Sequence, residues 1–408
     1  MRAIPRRPLL GGAAGLLAAR AALAQAQEVR LGALFPLSGP LVQLGDECFR
    51  GLELAVEERN GAGGLWSRPV RLVRADAPEE AQASAEARRL VGERVAAIFG
   101  SLSSTIALAA TQVAELQDLP WFELAAPADA LTERGFRNLF RSAPRAADLA
   151  AASIGAVEML GAALGREPRS FRLALLHAGT AEAQSISGTQ EGIAQARGMD
   201  LALRLAQSAR GADHAALVQR LRAGGVEVVL HCPAQGEDFT EVVALFRAMR
   251  DAGWRPLMVA GLGGAYALEE TTRTLGEDFE GVVHVGFPAG DVSDRYAPGA
   301  PAFLEAYKRR YGMEPRAGQS LGCYFGARVF LDALGRAGGP DRERIRAAVL
   351  ATDIAEGTTA AGWGARFDER GQNTRARPYV QQWQGGRLMA VAPPLAALAP
   401  LRPKLGPG

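Results

Sequence analysis

Residues 28–64 read EVRLGALFPLSGPLVQLGDECFRGLELAVEERNGAGG, and this block constrains the fold more than any other. Residues 29–34 form an apolar run bounded by Pro36, Ser38, Gly39 and Pro40, which is the pattern of a buried strand ending in a turn. Behind the turn, Phe49, Leu52, Ala55 and Val56 share one face of a helical repeat, and the glycines at 61–64 stop it. A strand that is apolar on both faces needs cover on both, which parallel sheets flanked by helices provide.

The same alternation continues. Strands are expected at 68–73, 95–99 and 121–124, with helices at 81–92 and 104–117. After Arg141-Ser142-Ala143-Pro144 a second series begins, with helices at 147–164, 185–197, 213–223 and 238–252. Its strands are expected at 171–176, 200–205, 226–231 and 256–260. Two such series predict two doubly wound lobes, and ligands of such sheets sit just beyond the carboxyl ends of the strands. At 408 residues the chain is long enough for two cores.

The first 26 residues read as an export signal and are set apart from the fold. Arg2, Arg6 and Arg7 precede a soft apolar stretch at 9–19, and Ala22-Leu23-Ala24 and Ala24-Gln25-Ala26 are both small-x-small cleavage sites. The Arg6-Arg7 pair fits a twin-arginine signal, while Pro8 and Gly11 fit an ordinary secretory one. No cysteine stands at the cleavage region, so no direct membrane anchor is expected, and no later apolar stretch is expected to reach the roughly 18 residues that span a bilayer. The net charge of +2, with no basic run interleaved with aromatics, argues against nucleic acid. Cys48, Cys232 and Cys323 form no zinc spacing and read as three small buried hydrophobes, and their odd number leaves at least one free or paired between chains.

Several short segments, weak singly but strong in their order, resemble the periplasmic solute-binding proteins of the branched-chain amino acid type. Besides 28–64, these are Gly100-Ser101-Leu102-Ser103-Ser104, Leu131-Thr132, Phe140-Arg141-Ser142, Phe279-Glu280-Gly281-Val282, Tyr307-Lys308 with Tyr311-Gly312, and Phe367-Asp368 with Gly371. The resemblance implies an α/β fold of two doubly wound parallel-sheet lobes joined by a three-strand hinge (the type I periplasmic binding protein, or Venus-flytrap, architecture). It places lobe 1 at 28–144 plus 288–365, lobe 2 at 145–287 plus 366–391, and a tail at 392–408. It also implies a monomer in the periplasm that hands a solute to the permease subunits of an ATP-driven (ABC) importer. A receptor subunit of a regulatory system is the alternative of another class.

The loop 100–105 is the first site candidate. It leaves a strand and opens a helix, so free N–H groups and the hydroxyls of Ser103, Ser104 and Thr105 make an anion site. The resemblance gives Ser104 the ligand's carboxylate, and a plain helix cap is the competing reading. Beyond the next strand the N–H groups of Ala125 and Ala126 are available, but Pro127 stands where the family has a threonine. Glu123 either faces the cleft or pairs with an arginine at the sheet end. The family's ammonium contacts are largely missing: Leu44 and Ala234 replace aromatics, and 261–265 carries no carboxylate. Glu182 falls where a tyrosine is usual and is a possible substitute acid. His177, Gln235 and Tyr266 are further cleft candidates.

These absences predict a carboxylate- or amide-bearing solute other than a simple α-amino acid, with an amino acid held by Glu182 as the alternative. His231 and Cys232 invite a metal reading, but consecutive strand residues point to opposite faces and no third ligand is evident. No Gly-x-Gly-x-x-Gly, phosphate loop, Gly-x-Ser-x-Gly or His-Glu-x-x-His occurs, so neither catalysis nor a cofactor is expected.

Overall fold

The computed structural model describes residues 28–207, 213–234, 236, 238–289 and 291–403. The expected signal segment at 1–26, Gln235 and the last residues of the tail lie outside the described residues.

Strand β1 (Val29–Phe35) is buried along nearly its whole length, as its apolar run requires. It sits inside a five-stranded parallel sheet of order β2-β1-β3-β4-β5, with β2 at Val70–Asp76, β3 at Ile98–Gly100, β4 at Trp121–Glu123 and β5 at Leu139–Arg141. Helices α1 (Val42–Gly61), α2 (Glu80–Gly92), α3 (Ser104–Leu116) and the short α4 (Ala130–Glu133) connect these strands.

The second sheet has seven strands in the order β14-β13-β10-β9-β8-β6-β7. Its parallel part is β6 (Arg172–Ala178), β7 (Asp200–Gln207), β8 (Val228–Cys232), β9 (Met258–Gly261) and β10 (Val283–Gly286). It is wound by α5 (Ala146–Leu164), α6 (Ala181–Ala196), α7 (His214–Ala223), α8 (Asp238–Asp251) and α9 (Glu269–Leu275). The inner strands β6 and β8 are buried on both faces, whereas the edge strand β7 is only half-buried. Helix α5 qualifies the expectation about apolar stretches: it has the length and hydropathy of a membrane span. Its Leu149, Ile154, Val157 and Leu160 nevertheless belong to the core of the second sheet.

After β10 the chain returns to the first lobe. There α10 (Ala300–Tyr311), α11 (Gln319–Ala337) and α12 (Arg342–Leu350) complete its core, with Phe303, Tyr307, Phe330 and Ile345 packed beside β1 residues. Helices α1 and α11 pack closely. A Cβ on Gly51 would fall 2.2 Å from the Ser320 carbonyl, so only glycine permits this approach. The two-residue strands β11 (Asp353–Ile354) and β12 (Ala365–Arg366) pair with each other. The chain leaves the first sheet later than expected. The Arg141 N–H bonds Gly371 and the Asn373 N–H bonds Arg141, both of which extend β5 past the boundary placed at 365. The hairpin of β13 (Tyr379–Gln384) and β14 (Arg387–Ala392) then joins the second sheet antiparallel to β10. The described part of the tail wraps this lobe: Ala396 is buried and the Gln382 amide donates to Arg402 O at 2.8 Å.

Thus two α/β lobes are joined by three chain passages. They touch across their facing ends. The Ser185 hydroxyl donates to Asp129 Oδ2 at 3.1 Å, and the backbone of Gly236, after β8, lies against Pro40 and Leu41, after β1.

Candidate functional site

The loop between β4 and α4 organises the first-lobe side. Glu123 ends β4 and folds back over its own loop. Its Oε1 accepts from the N–H groups of Ser101 (2.7 Å), Ala125 (3.0 Å) and Ala126 (2.8 Å). Its Oε2 accepts from Ser101 Oγ at 3.2 Å and Trp121 Nε1 at 3.1 Å. Arg141 takes the carbonyls of the same loop, Ala126 O at 3.2 Å and Ala128 O at 2.7 Å, and also reaches Thr132 and Gln372. Burial lowers this guanidinium to about 10.

Two expectations are corrected here. The N–H groups of Ala125 and Ala126 are not open to a ligand, because an internal carboxylate already holds them. Glu123 itself neither faces the cleft nor ion-pairs with an arginine; its oxygens are used by backbone, serine and indole donors.

The start of α3 remains available. Ser103 occupies the cap position, yet its hydroxyl makes no capping bond. The first-turn N–H groups of Ser104, Thr105 and Ile106 have no intrahelical acceptor. Ser104 is fully buried, and its Oγ accepts from the Ala128 N–H at 3.0 Å, fixing α3 to the 125–128 loop. Its own proton is free to donate. Thr105 is half-buried in the same turn.

On the second-lobe side, α6 begins four residues earlier than the periodicity suggested, because Thr180 caps it by accepting from the Ala183 N–H at 3.4 Å. This moves Glu182 from a loop into the first helical turn. Its side chain is buried, and Oε2 has no hydrogen-bond partner. Burial holds this carboxyl above the usual range, against the opposing effect of bonds from its own backbone and Thr180.

A chain of contacts joins the two sides: Ser104 holds Ala128, Asp129 follows it, and Asp129 holds Ser185, one turn along α6 from Glu182. Helices α3 and α6 are in contact. Of the two helices in contact, α3 begins with unused donors and α6 carries an unsatisfied carboxylate oxygen in its first turn. Leu44, Leu102, Ala234 and Leu262, all buried, follow the neighbouring strands.

His177, at the end of β6, is also buried. Its Nδ1 lies 3.0 Å from Ala178 O. A carbonyl only accepts, so in the neutral ring Nδ1 carries the proton and Nε2 is an acceptor. Tyr266 is corrected from cleft lining to core. The 3-10 turn Gly264–Tyr266 tucks its ring against Gly261, it stacks on Phe279 at 6.0 Å, and its hydroxyl lies 2.5 Å from His231 Nδ1. His231 Nε2 also approaches Gln207 at 2.9 Å and Glu241 at 3.2 Å, which makes this a polar cluster inside the second lobe. Among the described residues no group of three metal-ligating side chains exists.

A cavity of about 860 Å³ opens elsewhere, between Gln43, Leu268, Asp291, Phe303, Arg316 and Arg387. It contains none of the candidate residues, and its wall carries the Asp291–Arg387 ion pair at 2.7 Å. The strand ends, with their unused donors and acceptor, are the chemically better site.

Two α/β lobes joined by three chain passages and meeting at a polar seam are the architecture of a solute receptor. The chain belongs to the periplasmic binding protein family, whose model matches residues 28–387. It is 39% identical over 378 residues to the Leu/Ile/Val-binding protein homolog 7 of Brucella abortus, covering 92% of this chain and 94% of that relative. Solved structures share the fold. The branched-chain amino acid transporter substrate-binding protein of Streptococcus pneumoniae, in complex with isoleucine, superposes with a TM-score of 0.73 at 21% identity, covering 90% of this chain and 100% of that one. The solute-binding protein of R. palustris, in complex with benzoate, gives 0.73 at 18% identity, covering 91% and 98%.

Proposed function

We propose that this chain is the periplasmic receptor of an ATP-driven importer and that its lobes close on a small solute that carries an ammonium beside a carboxylate or amide, an α-amino acid or its amide. The solute's carboxylate or amide oxygen meets the α3 start at Ser103, Ser104 and Thr105. Its ammonium meets Glu182. The observation that carries this reading is the buried, unpartnered Oε2 of Glu182 in the first turn of α6, a helix in contact with α3, whose start has unused donors. A lone buried carboxylate is costly, and a ligand cation removes that cost. Sequence alone favours an organic acid, because the usual aromatic contacts are missing. Glu182, placed in the first turn of α6, shifts the balance toward an amino acid, as do the names of the relatives.

One observation favours a second reading. A carboxyl held above its usual range can be protonated and then donates to an organic acid, and the R. palustris neighbour is in complex with one, benzoate. On either reading the protein is a binder that is exported, cleaved near Ala24 or Ala26, and delivers its solute as a monomer to the permease.

Native mass spectrometry of the purified mature chain, before and after mild unfolding, tests the proposal. A released amino acid that rebinds to the wild type but not to Glu182→Gln supports it. A released organic acid that binds Glu182→Gln as well as the wild type establishes the second reading in its place.

A further inference from the structure

Cys48 and Cys323 lie 275 residues apart in the chain, yet the fold brings them together. Cys48 is on α1 and Cys323 on α11, in the tightly packed pair whose close approach Gly51 permits. Cys48 precedes Gly51 by one turn, and Cys323 follows Ser320, the residue that Gly51 meets, by one turn. Both side chains are fully buried in the first-lobe core, each one turn from the Gly51–Ser320 approach, and Cys48 lies close enough to perturb the Cys323 thiol. Cys232 is in the other lobe, at the end of β8. In the structure all three thiols are free, two of them on the packed helices and the third in the other lobe.

We propose that Cys48 and Cys323 are a disulfide site that staples α1 to α11. In an exported protein the oxidant is a disulfide, either of an oxidoreductase or of a small thiol. One cysteine thiolate attacks a sulfur of that disulfide, forms a mixed disulfide and releases one oxidant thiolate. The second cysteine thiolate then attacks the protein sulfur of the mixed disulfide, closes the Cys48–Cys323 bond and displaces the other oxidant thiolate. The two cysteine protons pass to the released thiolates, and two electrons reduce the oxidant. Burial holds the Cys323 thiol well above its usual range, so the packed thiol is a poor nucleophile and the exchange belongs to the docking of α11 on α1. The bond closes a long loop of chain and restrains the unfolded state accordingly.

The supply of oxidant rests on the periplasmic reading, but the test does not. The mature chain is unfolded and reduced, refolded in reduced and oxidised glutathione, denatured at low pH to halt exchange, blocked with iodoacetamide in denaturant, and read by intact mass and peptide mapping. The expected product carries a single blocked cysteine, Cys232, and a linked peptide containing Cys48 and Cys323. Reduction of this product lowers its melting midpoint by roughly 5–10 °C. Cys232→Ser keeps the linked peptide, and Cys48→Ser leaves Cys323 open to blocking. Three blocked thiols in the refolded wild type, or a link through Cys232, overturns the inference.

Discussion

At the residue scale, two carboxylates near the cleft have opposite roles, and their surroundings decide which is which. Glu123 is surrounded by donors and holds the loop together. Replacing it with leucine strands the N–H groups of Ser101, Ala125 and Ala126 in a buried place. We expect a loss of about 3 kcal/mol or more in denaturant unfolding, with a smaller loss for Glu123→Gln, which keeps an acceptor oxygen. Glu182 lacks such donors. Its raised pKa means that the folded, ligand-free protein holds a proton that the unfolded chain releases. Its unfavourable contribution is absent below the ordinary carboxylate range and grows as pH rises through the window above it. Glu182→Gln should therefore raise the melting midpoint of the ligand-free protein at neutral pH while weakening ligand binding, as expected where a site is built at the expense of stability. A midpoint unchanged at neutral pH and also at pH 4 would contradict this. The role of Glu123 was not legible in the sequence, whereas Glu182 was already a candidate acid whose place in the fold was not. A glutamate ending a strand carries no sign that it will fold back on its own loop, and Glu182 could be placed only once the Thr180 cap was seen to start α6 early.

At the element scale, sequence located the strands buried on both faces and also the more exposed edge strands β2 and β7. β1, β6, β8 and β9 announce themselves as apolar runs, and their ends shift by only a few residues. The β13–β14 hairpin was missed, although Gly385-Gly386 between Trp383 and Leu388 is a two-residue turn signal, and both glycines take positive φ. Tyr266 was misjudged because its distance from the strand end resembles a cleft position, whereas the 3-10 turn reverses its direction. The α1–α11 contact was likewise invisible, since nothing local shows that Gly51 faces a helix so distant in the chain. Its consequence is testable: Gly51→Ala forces a methyl onto the Ser320 carbonyl and should cost about 1–3 kcal/mol in chemical unfolding. An alanine variant as stable as the wild type would mean that the helices can separate without penalty.

At the scale of the whole molecule, the order of weak motifs revealed the two-lobed architecture, while the chain passages that build it come from pairings between remote segments such as Arg141 with Gln372. The lobes meet at Asp129–Ser185 and at Gly236 against Pro40. A ligand that contacts both lobes favours the arrangement in which they meet. The most direct test of the account is calorimetric titration of a branched-chain amino acid into the wild type and into Glu182→Gln, at neutral pH and again at acidic pH. The account predicts binding by the wild type that weakens as the pH falls and Glu182 takes up its proton. It also predicts at least about a 30-fold loss in Glu182→Gln, the measure of a buried charge left without its partner. Binding that is equal in the two proteins, or that tightens at acidic pH, would contradict it.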